Sequence, residues 1–337
     1  MGRVNLSDFP PPPPDVRGWP WTEMSLPLPE SLPDGSPWPR ISIVTPSFNH
    51  GQYIEETIRS VLLQGYPNLE YIIVDGGSSD GTVEIIKKYE PWLTYWESEK
   101  DRGQSHAINK GWARATGDLI AYFNSDDFYM MGALEKVARA FWQDRTVSSI
   151  IGRINYINYS SKNIVTSAKP FLPSQNPCDL TLLDPDLWFL PQPASFWTRT
   201  VLEQVGMYVQ ENLHYTMDRE LFYRTTKVAK VAILNEALAS FRKHGHNKSI
   251  AQMLPMYKED AIALNFLDDG VLRNRLRRWR VARWWRARGY YHFSSQSKER
   301  SVILRYMLLA AFYKPAYLWR TNFFRKLVRS FAMGFFV

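Results

Sequence analysis

Leu119-Ile120-Ala121-Tyr122-Phe123-Asn124-Ser125-Asp126-Asp127-Phe128 runs from an unbroken apolar segment straight into two adjacent carboxylates. Such an apolar run predicts a strand buried on both faces. In an open parallel sheet, ligands collect at the carboxyl ends of the strands. Two acids at such an end repel one another unless a cation or a proton donor sits between them. Carboxylates suit hard cations such as Mg²⁺ or Mn²⁺, which in turn hold phosphates. The stretch therefore reads as a metal–diphosphate site. On these residues alone an acidic helix cap, with Ser125 or Asp126 as the capping side chain, is the equal alternative.

The upstream sequence decides between them. Arg40–Phe48 contains a short apolar strand, Ile41 to Val44, that ends in Thr45-Pro46-Ser47-Phe48-Asn49. A helix is predicted from about Gln52 to Gln64, because Ile54, Ile58, Val61 and Leu62 recur at helical spacing. A second strand, Leu69–Val74, ends in Asp75-Gly76-Gly77-Ser78-Ser79-Asp80-Gly81 and leads into a helix reaching Tyr89. A third, Leu93–Trp96, precedes Glu99-Lys100-Asp101-Arg102-Gly103-Gln104-Ser105 and a helix to Ala115. Strand, polar turn and helix in alternation predict a parallel sheet with crossover helices. All these polar turns then fall on one sheet edge together with the acid pair, which favours the ligand-site reading.

Downstream, a helix is predicted at about 131–143, with Leu134, Val137, Ala138, Phe141 and Trp142 on one face. Short strands and a hairpin about Ser160–Asn163 follow over 147–168, then a proline-rich stretch over 169–191. Gln192–Trp197 is a strand or its approach, and Gln192 is a candidate for the acceptor pocket. His214-Tyr215-Thr216-Met217-Asp218-Arg219-Glu220-Leu221 opens a helix. Val231–Phe241 is a strand that ends in Arg242-Lys243-His244-Gly245-His246-Asn247-Lys248. In that turn Arg242 and Lys248 are candidates for phosphate, and His244 or His246 for phosphate or metal; a solvated surface loop is the competing reading.

The 337 residues are 45% hydrophobic and 15% aromatic, enough for one large α/β domain with additions or for two domains. The single cysteine, Cys178, excludes an intramolecular disulfide and a cysteine-based zinc site. The polar N-terminal stretch has no apolar core of a signal peptide, so a cytoplasmic location is expected. Residues 1–39 include the run Pro10–Pro14 and should be extended, with Trp19, Trp21 and Trp38 as pegs on the domain surface. The net charge of +8 is unevenly spread: residues 270–337 carry 16 Lys and Arg against the single acid Glu299, leaving the rest of the chain at −7. This basic helical tail, with Trp279, Trp284 and Trp285 among its arginines, points to docking on the cytoplasmic face of an anionic membrane. Helical packing on the domain is the alternative. No nucleic-acid motif accompanies the arginines. Residues 303–319 are interrupted by Arg305, Lys314 and Pro315 and fall short of the ~20 apolar residues of a membrane span.

The motifs TPSFN, IIVDGGSSDGT, DRGQSHAINKG and FNSDD, in this order and spacing, resemble the family-2 glycosyltransferases of the GT-A fold over about Arg40–Ser249. The resemblance implies a Rossmann-like, mostly parallel sheet flanked by helices, with a helical basic C-terminal extension. It implies a proline-rich leader (1–39), a glycosyltransferase domain (40–250, with 40–130 as the nucleotide half and 131–250 as the acceptor half) and a basic aromatic extension (251–337). It further implies metal-dependent, inverting transfer from a nucleotide-diphospho-sugar, UDP- or dTDP-linked, to a polysaccharide, glycolipid or lipid-linked acceptor. Thr45, Pro46, Ser47 and Asn49 would lie against the nucleoside and Asp75 would bond the base or ribose. Asp101, Arg102 and Gly103 would line the base and diphosphate, and Asn124 and Ser125 the donor. Asp126, with Asp127 as a further ligand or a support, would hold Mn²⁺ or Mg²⁺. Asp218 would be the general base, with Glu220 its competitor. Asn124 departs from the family's acidic pattern, leaving one fewer carboxylate for the metal. A nucleotidyltransferase of sugar phosphates and a non-catalytic sugar- or nucleotide-binding scaffold are the rival functions; the first lacks a basic phosphate loop after the first strand.

Overall fold

A computed structural model describes residues 4–158, 164–170, 172, 189–228, 230–245, 247, 256, 259, 287, 290–291 and 300–319. Strands β1 (Ile41–Ser47) and β2 (Leu69–Asp75) are buried along their whole length, as their unbroken apolar sequences require. They pair in parallel from Ile41 opposite Leu69 to Ser47 opposite Asp75. Strand β3 (Tyr95–Ser98) adds in parallel to β2, and β4 (Leu119–Tyr122) in parallel to β1. The order β3-β2-β1-β4 brings the four carboxyl ends to one edge, as the alternation of elements predicts. Helices α1 (Ile54–Leu62), α2 (Thr82–Tyr89) and α3 (Gln104–Trp112) make the crossovers. Helix α1 buries Ile54, Ile58, Val61 and Leu62, the expected face. Helix α3 approaches β1 so closely that a Cβ on Gly111 would lie 2.2 Å from Val44 Cγ1, so only glycine fits there.

Strand β3 begins at Tyr95 rather than at Leu93. Glu90–Trp92 form a 3₁₀ turn after α2, closed by the Leu93 N–H on the Glu90 carbonyl at 3.0 Å. The later start puts Ser98 opposite Asp75, where its hydroxyl reaches the Asp75 carboxylate.

The second half contains β5 (Phe128–Tyr129), α4 (Ala133–Gln143), β6 (Val147–Ile157), β7 (Ile164–Ala168), β8 (Ser195–Thr198), α5 (Arg199–Gln204), α6 (Met217–Thr226) and β9 (Lys230–Arg242). The sheet continues β4-β8-β6-β9-β5, with β7 paired to β6. Strand β8 is antiparallel to both β4 and β6, whereas β9 runs parallel to β6 and antiparallel to β5. The β6–β7 pairing is the expected hairpin; its turn, 160–163, lies outside the described residues. Among the described residues, nine strands form this one sheet.

Two compact units divide the chain. One comprises Met1–Phe171, Leu190–Asn212 and Arg224–His244; the other comprises Leu172–Phe189, Leu213–Tyr223 and Gly245–Val337. In the second, a helix over Arg300–Tyr313 packs Met307 and Ala310 against Ala287, Tyr290 and Tyr291. Among the described residues no helix is long and apolar enough to cross a membrane.

The leader goes beyond lying on the surface. Phe9, Leu28, Leu32 and Trp38 are buried in the same core as β1 and α1. Trp38 donates to the Pro29 carbonyl at 2.9 Å and Trp19 to that of Tyr129 at 2.7 Å. A proline-rich chain has carbonyls that no ladder uses, and the buried Arg59 of α1 collects them. Its guanidinium donates to Pro10 (3.0 Å), Pro20 (3.1 Å) and Trp21 (2.9 Å), and also to the Tyr89 hydroxyl. The rings of Phe9 and Trp21 flank it at 5.4 and 5.2 Å. Losing one partner of a buried charged hydrogen-bond set is among the costlier single changes. Arg59→Met is expected to lower the unfolding free energy by about 3 kcal/mol, read by urea titration, and to open residues 4–39 to limited proteolysis.

Candidate active site

The acid turn lies between β4 and β5 and is fastened from below. The Thr57 hydroxyl of α1 reaches the carbonyls of Ser125 (3.0 Å) and Asp127 (2.6 Å). Arg242, at the end of β9, donates its N–H to Asp127 Oδ1 at 3.0 Å and its Nε–H to the Asp126 carbonyl at 2.9 Å. Its guanidinium also pairs with Glu56 of α1 and faces the rings of Tyr53 and Phe128. From above, His50 Nδ1 lies 2.7 Å from the Ser125 hydroxyl. His244 Nε2 lies 3.0 Å from Asp126 Oδ2, and its ring stacks on Tyr53 with centroids 4.7 Å apart.

The surroundings shift the two adjacent acids in opposite directions. Burial would raise the Asp126 carboxyl, but the His244 hydrogen bond and the nearby His50 and His244 outweigh it and hold it below the ordinary aspartate value. Asp127 is completely buried. Burial first, and then the charge of Asp126, push its carboxyl well above the ordinary value; the Arg242 N–H, the Arg242 charge and Asn124 oppose this only in part. Its Oδ2 has no hydrogen-bond partner among the described residues. The two shifts run in opposite directions, the direction in which adjacent acids relieve their mutual repulsion.

Asn124 belongs to a chain of amides. Gln104 of α3 donates to Asn124 Oδ1 at 2.8 Å, Asn124 donates to Gln192 Oε1 at 3.2 Å, and Gln192 donates to the Tyr122 carbonyl at 2.7 Å. An amide both accepts and donates in this chain, and a carboxylate only accepts. The departure at Asn124 therefore has a local reason, and Gln192, buried here, touches Asn124 and β4.

The neighbouring turns interlock at the same edge. Asn49, at φ 52°, donates its N–H to Ser78 Oγ (2.7 Å) and accepts from the Ser79 N–H (2.9 Å). His50 and Gly51 donate to Thr82 Oγ1 and Asp80 Oδ2. Thr45 Oγ1 lies 3.2 Å from the Tyr71 hydroxyl, and the buried Ser47 Oγ has no partner among the described residues. Pro46 sits in β1 opposite Val74. Asp75 is completely buried, and its carboxylate accepts from the Gly77 and Ser78 N–H groups and from the Ser78 and Ser98 hydroxyls. Asp101 Oδ1 accepts from the Gly103 N–H at 2.7 Å, and a Cβ on Gly76 would come within 3.0 Å of Asp101 Oδ2. Arg102 is exposed and makes a two-pronged contact with Glu211 Oε2, at 3.0 and 2.7 Å.

Asp218 and Glu220 lie on α6, in the second unit. Burial, the largest influence, raises the Asp218 carboxyl above the ordinary value against the lowering effect of Arg219, whose N–H it accepts at 2.8 Å. Glu220 is buried, and its N–H bonds the Thr216 carbonyl. His246 and Lys248 lie outside the described residues. His50, Tyr53, Glu56 and Thr57 escape sequence reasoning: they sit in or before a helix whose spacing announces only its buried face. The one signal is His50, directly after TPSFN at a strand end.

A parallel half-sheet extended by a mixed one, with polar turns and an acid turn at one edge, is the α/β architecture of the GT-A glycosyltransferases. Two solved structures share it. Staphylococcus aureus TarS 1–349 with UDP-GlcNAc matches at TM-score 0.56 and 15% identity, over 86% of this chain and 89% of that one. The mannosyltransferase PcManGT of Pyrobaculum calidifontis with GDP-Man and Mn²⁺ matches at 0.53 and 18%, over 88% and 87%. Residues 42–206 match Glycosyl transferase family 2, and an uncharacterized glycosyltransferase of Nostoc sp. is 27% identical over 228 residues, 66% of this chain and 70% of the relative. The chain is a glycosyltransferase, and its segment 42–206 is similar to family 2.

Removing one partner of a buried ion pair costs about 3–5 kcal/mol, because the other charge is left uncompensated. Arg242→Met is expected to destabilise the fold by that amount in urea titration, and Arg242→Met/Glu56→Leu, which removes both charges, by less than the single change.

Proposed function

We propose that this glycosyltransferase moves a sugar from a UDP- or dTDP-linked donor to a saccharide, glycolipid or lipid-linked acceptor, with inversion at the anomeric carbon and with help from Mn²⁺ or Mg²⁺. The observation that carries the reading is the ionised Asp126 beside His244, on the sheet edge where the turns after β1, β2 and β3 also end. Thr45, Pro46, Ser47 and Asn49 form the nucleoside wall. Asp75 shapes the Gly76–Ser79 turn from beneath it, and Asp101 and Gly103 border the base and diphosphate. Arg102 joins them when it leaves Glu211.

Among the described residues no three His, Cys, Asp or Glu side chains converge on one point. Asp126 and His244 nevertheless form a carboxylate–imidazole pair suited to Mn²⁺, with diphosphate oxygens to complete the set. A cation held by Asp126 and His244 would supply charge neutralisation for the departing diphosphate. Asn124 and Ser125 border the donor, and the buried Asp127 supports the turn. Asp218 takes the proton from the acceptor hydroxyl as its oxygen attacks the anomeric carbon, and the nucleoside diphosphate leaves from the opposite face, inverting that centre. The carboxyl raised by burial is a stronger base than an ordinary aspartate.

In this reading residues 40–250 are the catalytic domain, with Phe9, Leu28, Leu32 and Trp38 of the leader 1–39 packed into its core, and residues 251–337 are an extension that docks on an anionic cytoplasmic membrane face. Leu308 and Phe312, four apart on one helix face, and Leu318 beyond it are exposed, which supports docking together with the surrounding basic residues.

A panel of UDP-, dTDP- and GDP-linked sugars with Mn²⁺ or Mg²⁺, scored by released nucleotide, tests the whole reading; no release from any donor rejects it. Asp126→Ala and His244→Ala are expected to abolish the metal response of that release. Asp218→Asn should keep donor affinity and lose about 10²–10⁴-fold in transfer rate; with base function in the ionised form, the rate of the unmodified enzyme should fall on acidification at a pH above the ordinary aspartate pKa. Leu308→Asp/Phe312→Asp should release the protein from phosphatidylserine vesicles in a sedimentation assay, and unchanged sedimentation rejects the docking face.

A further inference from the structure

We propose that Glu259 is the positioning residue for Asp218; the proposal rests on the reading of Asp218 as general base. The Glu259 carboxylate accepts three consecutive backbone N–H groups: His214 at 2.6 Å on Oε1, then Tyr215 at 2.6 Å and Thr216 at 2.9 Å on Oε2. The Thr216 hydroxyl adds a fourth bond to Oε2 at 3.2 Å. These three residues immediately precede α6, and Asp218 sits in its first turn.

The start of a helix leaves N–H groups unsatisfied, and a nearby Ser or Thr hydroxyl ordinarily supplies the acceptor. The Thr216 hydroxyl, beside that helix start, donates to Glu259. The approach to α6 is therefore held by a residue 43 positions further along the chain. Thr216 is completely buried and Glu259 is 8% exposed. A carboxylate removed from water to this degree requires charge-assisted partners, and it has them. The positive end of the helix dipole adds to the attraction.

The Asp218 carboxylate accepts the N–H of its own neighbour, Arg219, so that bond fixes its direction only relative to α6. Arg224 ties the far end of α6 to the Val205 and Tyr208 carbonyls, and the clamp on residues 214–216 ties the end that carries Asp218. Glu259 also contributes to raising the Asp218 carboxyl, in the direction that suits a base. A Thr cap alone would satisfy the helix without adding that negative charge. The residue thus does two things for Asp218: it places the first turn, and it opposes loss of base strength.

The test uses full-length enzyme and the sugar nucleotide giving the fastest nucleotide release in the donor panel. Glu259→Ala is expected to lower kcat by about 10²-fold, the scale of a 1 Å misplacement of a reacting group, with donor KM within twofold. Glu259→Gln keeps one acceptor oxygen and should recover part of kcat, with a melting temperature near that of the unmodified enzyme. In an Asp218→Asn background, Glu259→Ala should cost less than twofold more, since two residues acting as one unit are not additive. Unchanged kcat in Glu259→Ala, an equal loss of donor affinity, or full additivity with Asp218→Asn overturns the proposal. Unchanged transfer by Asp218→Asn overturns the base reading itself. An inactive Asp218→Asn beside a fully active Glu259→Ala overturns the positioning role alone.

Discussion

The acid turn depends on the buried guanidinium of Arg242. A cation 2% exposed is tolerable only where every face meets an acceptor or an aromatic ring. Glu56 of α1, the Asp126 carbonyl and the rings of Tyr53 and Phe128 meet that requirement, while the Arg242 N–H holds Asp127. The residue ties the end of β9 to the turn after β4 and to the first crossover helix. That single knot converts three distant segments into one wall. It also explains why His244, two residues on, stands beside Asp126.

Two further constraints follow from that knot. Asp127 is completely buried, and burial favours its neutral acid; Asp126, also buried, has a histidine partner that favours the anion. Sequence adjacency would make them equivalent; position makes them opposite. The amide chain Gln104–Asn124–Gln192 then orders the approach to the pair without adding charge.

Segments outside the central sheet contribute as much. The leader, compositionally a linker, gives three carbonyls to Arg59 and four apolar side chains to the core. Helix α1 carries both ends of this arrangement: Arg59 faces the leader, while Glu56 and Thr57 face the acid turn. Glu259, in a stretch with no motif, caps the approach to Asp218. These contacts are long-range in sequence and short in space, which is why composition and periodicity give them no signature.

The sequence by itself determined the parallel half of the sheet, because strands buried on both faces are continuous apolar runs and their crossover helices repeat at 3.6 residues. It also determined the edge at which the turns meet, since chain direction in a parallel sheet leaves no alternative. The place of Asp126 and Asp127 at that edge was legible for that reason. Tertiary structure decided the rest. It set the start of β3 by a 3₁₀ turn and buried the leader through Arg59. It enclosed the Asp75 carboxylate in four hydrogen bonds and turned Arg102 toward Glu211. It divided the acids by burial and charge, and it joined His244 to one of them. Each outcome depends on which side chains meet across the fold, and the electrostatic state of a carboxylate is a property of those neighbours rather than of its place in the chain.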